Sequence, residues 1–350
     1  MFSHPDFDGH ERIVHAFDAA SGLRAIVAIH STALGPSFGG CRMWPYADDG
    51  SALSDALRLS RAMTFKCAIV GVPYGGGKSV IIGDPRTAKS DALLTAMARI
   101  VESLGGSYII ADDVGTSLAD LAVMRGTTSH TAATTTSAMQ PLPVTAHGVF
   151  SAMVATAVHV FGTSGLAGRT VAIQGLGNVG GPLCDLVAAA GARLIVADLD
   201  PGRVADAVHR HGAHALPPDR VVEADADILA PCALGGVLDA ATIPRLRVSL
   251  VCGGANNQLA GPDAAAALAR RGIVYIPDYL AGAGGVIDFH QERIDDRPQA
   301  TLSAVAAIGR ITTDVLTQAA AKGDTPLGIC NQMVAQRLAT ADRTNRSRAS

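Results

Sequence analysis

Residues 171–180 read Val171-Ala172-Ile173-Gln174-Gly175-Leu176-Gly177-Asn178-Val179-Gly180. An apolar, β-rich run enters a Gly-x-Gly-x-x-Gly turn, a helix-like segment follows from Pro182 to Ala190, and a second apolar run, 194–197, ends at Asp198. A strand, turn, helix and second strand, with an acid about 20 residues after the turn, are the context that a dinucleotide site requires. The stretch therefore predicts a Rossmann dinucleotide-binding domain.

The turn residues have separate roles in such a site. Gly175 permits the tight turn, Gly177 lets the backbone approach the pyrophosphate, and Gly180 allows close packing of the helix on the strand. The helix N-terminus offers free N–H groups and a positive dipole end to the phosphates. The residues predicted to bind the cofactor in this stretch are Gly175, Gly177, Asn178, Val179, Gly180 and Asp198.

The acid at the end of the second strand predicts which dinucleotide is bound. Asp198 can accept hydrogen bonds from both ribose hydroxyls, which favours NAD. A 2′-phosphate would be repelled there, and neither Leu199 nor Asp200 is basic. The alternative interpretation is a glycine-rich turn that holds no ligand.

The bulk composition is that of a globular chain. With 350 residues, 48% of them hydrophobic and 17% charged, the chain predicts about two domains with ample core. A net charge of −3 gives no electrostatic reason to expect nucleic acid or an anionic membrane as partner.

The cysteines and the apolar runs indicate the cellular compartment. Six scattered cysteines, with no Cys-x-x-Cys and no histidine at metal-ligand spacing, predict reduced thiols and no metal site. No secretory signal is recognised, and no apolar run is expected to span a bilayer. We therefore expect a cytoplasmic protein.

Alternating strand and helix patterns precede the dinucleotide motif and predict a first α/β domain. Residues 11–46 have strand patterns, and 52–69 have helical spacing with Ser51 as a plausible N-cap. A strand from Ser79 to Ile82, a helix over about 91–104 and a strand over 108–110 follow.

The threonine-rich segment 127–137, followed by Pro141 and Pro143, predicts a linker or hinge. Beyond it, strands and helices alternate in βαβ order, and helices over about 302–321 and 328–341 precede a polar tail that we expect to be disordered. The predicted architecture is two α/β domains with a cleft between them.

Gly75-Gly76-Gly77-Lys78-Ser79 invites comparison with a phosphate-binding loop. A Walker loop needs a glycine six positions before the lysine, and that position is Val72, whereas Gly71 lies one residue too early. The nucleotide-hydrolase interpretation fails on spacing. What remains is a lysine that follows a glycine turn, where substrate and backbone can approach closely.

Two further residues make Lys78 a candidate base. Lys66 lies near the end of an apolar helix, and Asp113 lies at the carboxyl end of a predicted strand, where α/β active sites form. Two partly desolvated ammonium groups close together would each depress the pKa of the other, so one can act as a base at ~7–8 while the other holds a carboxylate. Asp112 is expected to face outward, since neighbouring strand residues alternate.

Several runs resemble the amino acid dehydrogenase family that includes the leucine, valine, phenylalanine and glutamate dehydrogenases. The resemblance covers nearly the whole chain. It is carried by Leu34-Gly35-Pro36, Gly39-Gly40-Cys41-Arg42-Met43-Trp44-Pro45-Tyr46, Met63-Thr64-Phe65-Lys66, Gly75-Gly76-Gly77-Lys78, Ala111-Asp112-Asp113-Val114-Gly115-Thr116, Pro143-Val144-Thr145-Ala146 and Gly253-Gly254-Ala255-Asn256-Asn257.

The resemblance implies a role for each matching residue. Lys66, helped by backbone at Gly40, would bind the substrate α-carboxylate, and Lys78 would activate the water that attacks the imino acid. Asp113 would handle the proton on the amino or ammonia nitrogen. Thr145 and Asn256 would hold the nicotinamide half of NAD.

The resemblance also implies a domain organisation and an assembly. Residues 1–140, with a C-terminal helix of about 322–350 packing back, would form the substrate and catalytic domain, and 141–321 the NAD-binding Rossmann domain. Family members assemble through the first domain, so a homo-oligomer is expected.

The loop after Pro277-Asp278-Tyr279 departs from the family pattern. The family usually has Asn-Ala-Gly-Gly there, and this chain has Gly282-Ala283-Gly284-Gly285. A polar contact near the nicotinamide is therefore missing or supplied by another group.

By the same resemblance, the substrate side chain would contact Phe38, Ala111, Val286 and Phe289. The two phenylalanines are bulkier than the aliphatic groups expected in leucine dehydrogenases, so the pocket should be shallow. We expect a preference for short branched substrates such as valine or 2-aminobutyrate. The alternative is that both rings turn away and the pocket accepts leucine.

The leading hypothesis is NAD-dependent, reversible oxidative deamination of a branched-chain or small aliphatic L-amino acid. A 2-hydroxy acid dehydrogenase would normally use an arginine for the carboxylate and a histidine base, so Lys66, Lys78 and Asp113 argue against it. A phenylalanine-type dehydrogenase and a non-catalytic NAD-binding homologue remain alternatives, the latter because of Gly282.

Overall fold

A computed structural model describes residues 2–132, 143–163, 165–295 and 297–349, with side chains as far as residue 344. The chain divides into two compact units. Unit 1 comprises residues 1–140 and 334–350, and unit 2 comprises residues 141–333. Residues 133–137 of the predicted linker, and Pro141, lie outside the described residues.

Unit 1 contains, among its described residues, a five-stranded mixed sheet in the order β1-β2-β4-β3-β5. Strands β1, β2 and β4 pair antiparallel, and β4, β3 and β5 pair parallel. Its elements are β1 Arg12–Asp18, β2 Leu23–Ser31, β3 Ser37–Trp44, α1 Asp49–Val70, β4 Gly75–Ile82, α2 Asp91–Ser103, β5 Tyr108–Asp112 and α3 Leu118–Arg125.

The two faces of this sheet carry different cores. One face, with residues such as Tyr108 and Met43, packs against α2 and α3 and forms the larger core. The opposite face, with Ala28 and Val80, packs against Ala56 and its neighbours on α1. Strand residues alternate between the two faces of a sheet. The position of each candidate residue along β3 or β4 therefore decides whether its side chain faces α1.

The glycines before Lys78 lie inside β4, so the prediction of a turn followed by a strand from Ser79 was wrong. The strand is closely packed at all three glycines. A Cβ on Gly75 would overlap the Ser31 carbonyl, one on Gly76 would overlap the Thr64 backbone nitrogen, and one on Gly77 would lie 2.7 Å from the Tyr108 ring. Glycine is present because neighbouring backbone and an aromatic ring come this close to the strand.

Helix α1 begins earlier than predicted. Its N-cap is Asp48, whose side chain accepts a hydrogen bond from the Ser51 backbone N–H. The prediction of Ser51 as N-cap was wrong, because Ser51 lies inside the first turn and its own N–H is the group that Asp48 caps.

Unit 2 contains a wholly parallel sheet whose six described strands run in the order β11-β10-β9-β6-β7-β8. Counted from β6, this is the strand order of the dinucleotide-binding fold. The order reverses between β6 and β9, and the Gly-x-Gly-x-x-Gly turn follows β6 at that point. The predicted α/β class with a Rossmann domain is confirmed.

Helices lie between many of these strands along the chain. The elements of unit 2 are α4 Val144–Phe161, β6 Thr170–Gln174, α5 Gly180–Ala189, β7 Arg193–Ala197, α6 Pro201–His211, β8 His214–Ala215, β9 Ile228–Pro231, β10 Leu250–Val251, α7 Asp263–Arg270, β11 Val274–Tyr275, α8 Asp278–Ala281, α9 Gly284–Ile294, α10 Pro298–Val305 and α11 Ala307–Lys322. The last helix, α12 Pro326–Ala349, begins in unit 2 and belongs to unit 1 from residue 334 onward.

Three segments differ from the prediction. Most of the predicted loop over 281–285 is helical, since Ala281 ends α8 and Gly284 begins α9. The helix predicted over 302–321 is divided into α10 and α11 at Ala306. The tail expected to be disordered is helical, since α12 continues to Ala349, and its Arg337 donates to the carbonyl oxygens of Ala68 and Ile69 in unit 1.

Helix α4 is the one described helix that is long and apolar enough to cross a membrane by length and composition, so the expectation of no such run was wrong. Its position explains its composition. Within unit 2 it packs against α5, α8, α9, α10 and α11, with Val149, Ala152 and Met153 fully buried. An apolar helix surrounded by other helices is also what a protein core contains.

The close packing at β4 generates a stability prediction. Gly76→Ala should lower the free energy of unfolding by about 1–3 kcal/mol or prevent folding, because its Cβ overlaps α1 backbone that cannot move independently. Urea unfolding followed by fluorescence of Trp44, the single tryptophan, measures the change in unit 1. Gly261→Ala is the matched control, because its Cβ would meet no atom within 4 Å. Equal stability of the two variants would contradict this account of the strand.

Candidate active site

Lys78 and Asp113 form a close ion pair at the carboxyl end of β5. The Lys78 Nζ donates to Asp113 Oδ2 at 2.6 Å, and the lysine side chain is only 7% exposed. Lys78 comes from β4 and Asp113 follows the last residue of β5. The structure thus brings together the two residues predicted to be catalytic, from strands that β3 separates in the sheet.

A second cation binds the same carboxylate. Arg42, on β3, donates from Nε to Asp113 Oδ2 at 3.0 Å and from Nη1 to Asp55 Oδ2 at 2.8 Å. The sequence reasoning missed this arginine as a site residue. Strand alternation could have indicated it, because Arg42 lies two residues after Gly40 and therefore on the same face of β3.

The charges around Asp113 fix its protonation state. Burial alone would raise the pKa of this carboxyl, but the adjacent Lys78 and Arg42 charges outweigh burial and lower the pKa to about 2. Asp113 is therefore a carboxylate at any neutral or alkaline pH. Its neighbour Asp112 is exposed, the outward orientation that strand alternation predicted.

Gly40 lies against both charged residues. A Cβ on Gly40 would be 3.1 Å from Lys78 Nζ and 2.8 Å from Asp113 Cβ. In the sheet, Gly40 pairs with Ala111, which is 9% exposed. The missing side chain lets Lys78 Nζ and Asp113 pack directly against the backbone of β3.

Two more residues predicted to bind substrate lie on elements of unit 1. Lys66 is half-buried near the end of α1, two residues after Thr64, whose backbone nitrogen lies against Gly76. Phe38 is 6% exposed, lies two residues before Gly40 on β3, and its ring centroid is 6.2 Å from that of Tyr74.

The end of β5 is fastened to β3 by backbone and side-chain bonds. The Thr116 hydroxyl donates to the Cys41 carbonyl oxygen at 2.7 Å and accepts from the Asp113 N–H at 3.0 Å. The Met43 N–H donates to the Val114 carbonyl oxygen at 2.9 Å. Asp113 is thus held by its backbone as well as by its carboxylate, and Thr116 is a second residue that the sequence reasoning did not single out.

In unit 2, the turn after β6 has the backbone of a dinucleotide motif. Gly175 has a φ of 89°, a left-handed conformation, and its N–H donates to the Ala197 carbonyl oxygen at 2.7 Å. A Cβ on Gly180 would overlap the Gly175 carbonyl, so Gly180 packs against the turn itself. A Cβ on Gly177 would meet no atom closer than 3.6 Å, the nearest being Arg203 Nη1.

Asp198 is tied into that turn. Its Oδ2 accepts from the Leu176 N–H at 2.6 Å and its Oδ1 from the Asp200 N–H at 2.8 Å. Burial would raise the pKa of Asp198, but these backbone bonds and the charge of Arg203, 3.9 Å away, lower it. Arg203 was not anticipated, because only the two residues after Asp198 were considered in the sequence.

Thr145 and Asn256, the residues predicted to hold the nicotinamide half, lie on two separate segments of unit 2. A Cβ on Gly285 would be 3.8 Å from Thr145 Oγ1, so the glycine loop adjoins the start of α4. A Cβ on Gly254 would lie 2.5 Å from Val179 Cγ1, which places the segment that carries Asn256 beside the turn. Asn256 itself is half-buried.

The two predicted pocket residues of unit 2 lie on α9. Val286 is 3% exposed and Phe289 is 5% exposed. The Arg293 guanidinium lies over the Phe289 ring, 3.7 Å from its centroid. The phenylalanine ring is therefore held in one orientation by a cation–π contact.

The turn of unit 2 fits a dinucleotide. A cavity of about 350 Å³ adjoins it, lined by Gly177 and Asn178 of the turn and by Arg203 among others. The open space over Gly177 admits a pyrophosphate next to the backbone, and the ten-residue helix α5 begins at Gly180 and directs its N-terminus there. The chemistry of these groups is that of an anion and ribose site.

The chain matches two models of one protein family. Residues 10–130 match the "Glu/Leu/Phe/Val dehydrogenase, dimerisation domain", and residues 194–312 match "Glutamate/Leucine/Phenylalanine/Valine dehydrogenase". The first match contains Lys66, Lys78 and Asp113, and the second contains Asp198 and Asn256.

Named proteins of this family are similar along most of their length. A leucine dehydrogenase of Geobacillus stearothermophilus is 44% identical over 83% of this chain and 80% of its own. A valine dehydrogenase of Streptomyces albus is 42% identical over 97% of this chain and 94% of its own.

Among solved structures, L-tryptophan dehydrogenase from Nostoc punctiforme is 36% identical, with a TM-score of 0.79 over 95% of this chain and 97% of that chain. The two family models and these relatives, which match most of the chain, agree with one another. This chain belongs to the Glu/Leu/Phe/Val dehydrogenase family.

Proposed function

We propose that this chain catalyses the NAD-dependent, reversible oxidative deamination of a branched-chain or small aliphatic L-amino acid. In the deamination direction the amino acid, NAD and water give the 2-oxo acid, ammonia, NADH and a proton. The observation that carries the proposal is the buried Lys78–Asp113 pair beside Gly40, in a chain whose full-length relatives are named leucine and valine dehydrogenases.

Three charged residues of unit 1 have a task in this reaction. Lys66 binds the substrate α-carboxylate, with backbone at Gly40 helping to orient it. Lys78, in its neutral form, takes a proton from the water that attacks the imino acid. Asp113, which is ionised before substrate binds, accepts hydrogen bonds from the substrate amino group and receives its proton as the reaction proceeds.

The dinucleotide is proposed to bind unit 2. Gly175, Gly177, Asn178, Val179 and Gly180 would hold the pyrophosphate, Asp198 the adenosine ribose, and Thr145 with Asn256 the nicotinamide half. When bound, NAD accepts the hydride that leaves the substrate Cα. An anionic Asp198 favours NAD over a cofactor with a 2′-phosphate, which like charge would repel.

The substrate range follows from the pocket residues Phe38, Ala111, Val286 and Phe289. If both aromatic rings face the substrate side chain, they leave room for a short branched group only. A phenylalanine-type activity is the second candidate, favoured by the similarity to a protein named L-tryptophan dehydrogenase. A non-catalytic NAD-binding role is the third candidate, because Gly282 stands where the family usually has an asparagine.

We further propose that the protein works as a homo-oligomer in the cytoplasm. The match of residues 10–130 to a family domain described as a dimerisation domain supports assembly through unit 1. Nucleic acid, membrane and metal have no part in the proposed activity.

A panel of 2-oxo acids tests the substrate class. NADH oxidation with ammonia should be fastest with 2-oxoisovalerate and other short branched acids, and slower with phenylpyruvate and 2-oxoglutarate. In Phe38→Ala combined with Phe289→Val, the ratio of kcat/KM for phenylpyruvate to that for 2-oxoisovalerate should rise by about 10-fold or more, since pocket volume of this size is worth ~1–3 kcal/mol. Phe17→Ala, which removes a 75% exposed ring, is the control. An unchanged ratio in the double variant would refute the shallow pocket.

A lysine variant separates an enzyme from a binding protein. Lys78→Ala should lower kcat by about 100-fold or more, because a general base supplies a factor of that size, while NADH binding measured by fluorescence is retained. Lys89→Ala is the matched control, because it removes another Lys–Asp pair of unit 1, in which Lys89 Nζ lies 2.8 Å from Asp120 Oδ2. NADH binding without turnover in the unmodified chain would favour the non-catalytic alternative.

A further inference from the structure

The proposed base has a neighbour that opposes its task. Lys78 must lose a proton to act as a base, yet its ammonium donates to a carboxylate at 2.6 Å, in a site where the lysine side chain is 7% exposed. An opposite charge at this distance favours the charged form of a lysine. Something in the site must weaken the hold of Asp113 on the Lys78 proton.

Arg42 is placed to do so. Its Nε reaches the same oxygen, Asp113 Oδ2, at 3.0 Å, so one oxygen accepts two charge-assisted hydrogen bonds. A carboxylate oxygen that is shared between two cations is a weaker acceptor for each of them. The guanidinium cannot give up its own proton, so the sharing persists at every working pH.

Arg42 is itself held from the opposite side. Its Nη1 donates to Asp55 Oδ2 at 2.8 Å, and the Tyr46 hydroxyl donates to that same oxygen at 2.6 Å. Burial and the bond to Asp55 raise the pKa of Tyr46 well above its ordinary value, so it remains a neutral donor. Two cations and two anions, Lys78, Arg42, Asp113 and Asp55, thus form one connected chain.

The backbone makes this chain of charges rigid. Arg42 is on β3 and Lys78 on β4, which are paired strands, and Asp55 is on α1, which packs against β4. The Arg42 side chain is 20% exposed, and the side chains of Asp113 and Asp55 are 20% and 25% exposed. The planar Arg42 guanidinium is bonded to both Asp113 and Asp55, so it cannot rotate away from Asp113 without breaking both hydrogen bonds.

We propose that Arg42 is a positioning residue of the active site that, held by Asp55 and Tyr46, shares Asp113 Oδ2 with Lys78 and thereby frees the lysine to release its proton to solvent and act as a base. The proposal rests on the proposed amino acid dehydrogenase activity for its kinetic consequence. The arrangement of the four charges themselves does not depend on that activity.

Other titratable groups near the pair do not replace this role. Burial raises the pKa of the Cys41 thiol to about 11 and that of Tyr108 well above its ordinary value, so both stay neutral. Asp112 on β5 and Lys66 on α1 are left unchanged in every variant described below. Arg42 and Asp55 are therefore the groups whose removal changes the balance at Asp113.

The test measures the charge state of Lys78 directly. Competitive labelling with acetic anhydride over a range of pH, quantified at Lys78 by mass spectrometry in the intact protein, gives the pH at which the amine becomes reactive without requiring turnover. In Arg42→Met this midpoint should move up by about one pH unit, because Asp113 then holds Lys78 alone. The alkaline rise of kcat for deamination should move by the same amount, with KM for NAD unchanged.

Three variants complete the design. Arg42→Lys keeps the charge without the fork and should lie between the unmodified chain and Arg42→Met. Asp55→Asn leaves the arginine charge to Asp113 alone and should move the midpoint to lower pH. Arg24→Met, which breaks the exposed ion pair with Asp49 on the same unit, should change nothing.

Unchanged labelling midpoints in Arg42→Met and Asp55→Asn would overturn the proposal. If Arg42→Met does not fold, the midpoints of Arg42→Lys and Asp55→Asn decide in the same way. Shifted midpoints in a chain that shows no turnover would support the role of Arg42 and refute the proposed function, so the two failures are distinguishable.

Discussion

One carboxylate oxygen, Oδ2 of Asp113, accepts hydrogen bonds from both a lysine and an arginine, and the rest of the site depends on that shared contact. It brings Lys78 of β4 and Arg42 of β3 to the end of β5, and it keeps Asp113 ionised although the carboxyl is buried. The backbone around it is equally constrained, since Thr116 joins the Asp113 N–H to the Cys41 carbonyl. The charges are therefore positioned before any substrate binds, which is the condition for electrostatic catalysis.

The sheet of unit 1 can hold these charges because it is built around glycine. Gly76 admits α1 to the surface of β4, and Gly40 lets Lys78 and Asp113 pack against the backbone of β3. In unit 2 glycine has a related use, since Gly175 makes the turn after β6 and Gly177 leaves the backbone open. In both units the residue without a side chain marks where another group, from the protein or from a ligand, comes close to the backbone.

The sequence alone predicted the elements whose signals are local. The Gly-x-Gly-x-x-Gly turn with its flanking strands identified the Rossmann domain. Predictions failed where distant contacts decide the structure. Gly75-Gly76-Gly77 resembles a turn until Thr64 and Tyr108 are seen against it, and the polar tail is helical where Arg337 binds α1. The spacing from Gly40 indicates which face of β3 carries Arg42, but its contacts with Asp55 and Asp113 are formed by residues distant along the chain.

Hydride transfer from the amino acid Cα is the central claim, and it can be followed with an isotope. L-Valine carrying deuterium at Cα, incubated with NAD and the purified chain, should yield reduced nicotinamide that carries this deuterium, together with equal amounts of 2-oxoisovalerate and ammonia. The rate should be lower than with unlabelled valine if the transfer limits turnover. NAD binding without deuterium in the nicotinamide, for valine and for every other amino acid tried, would contradict the account.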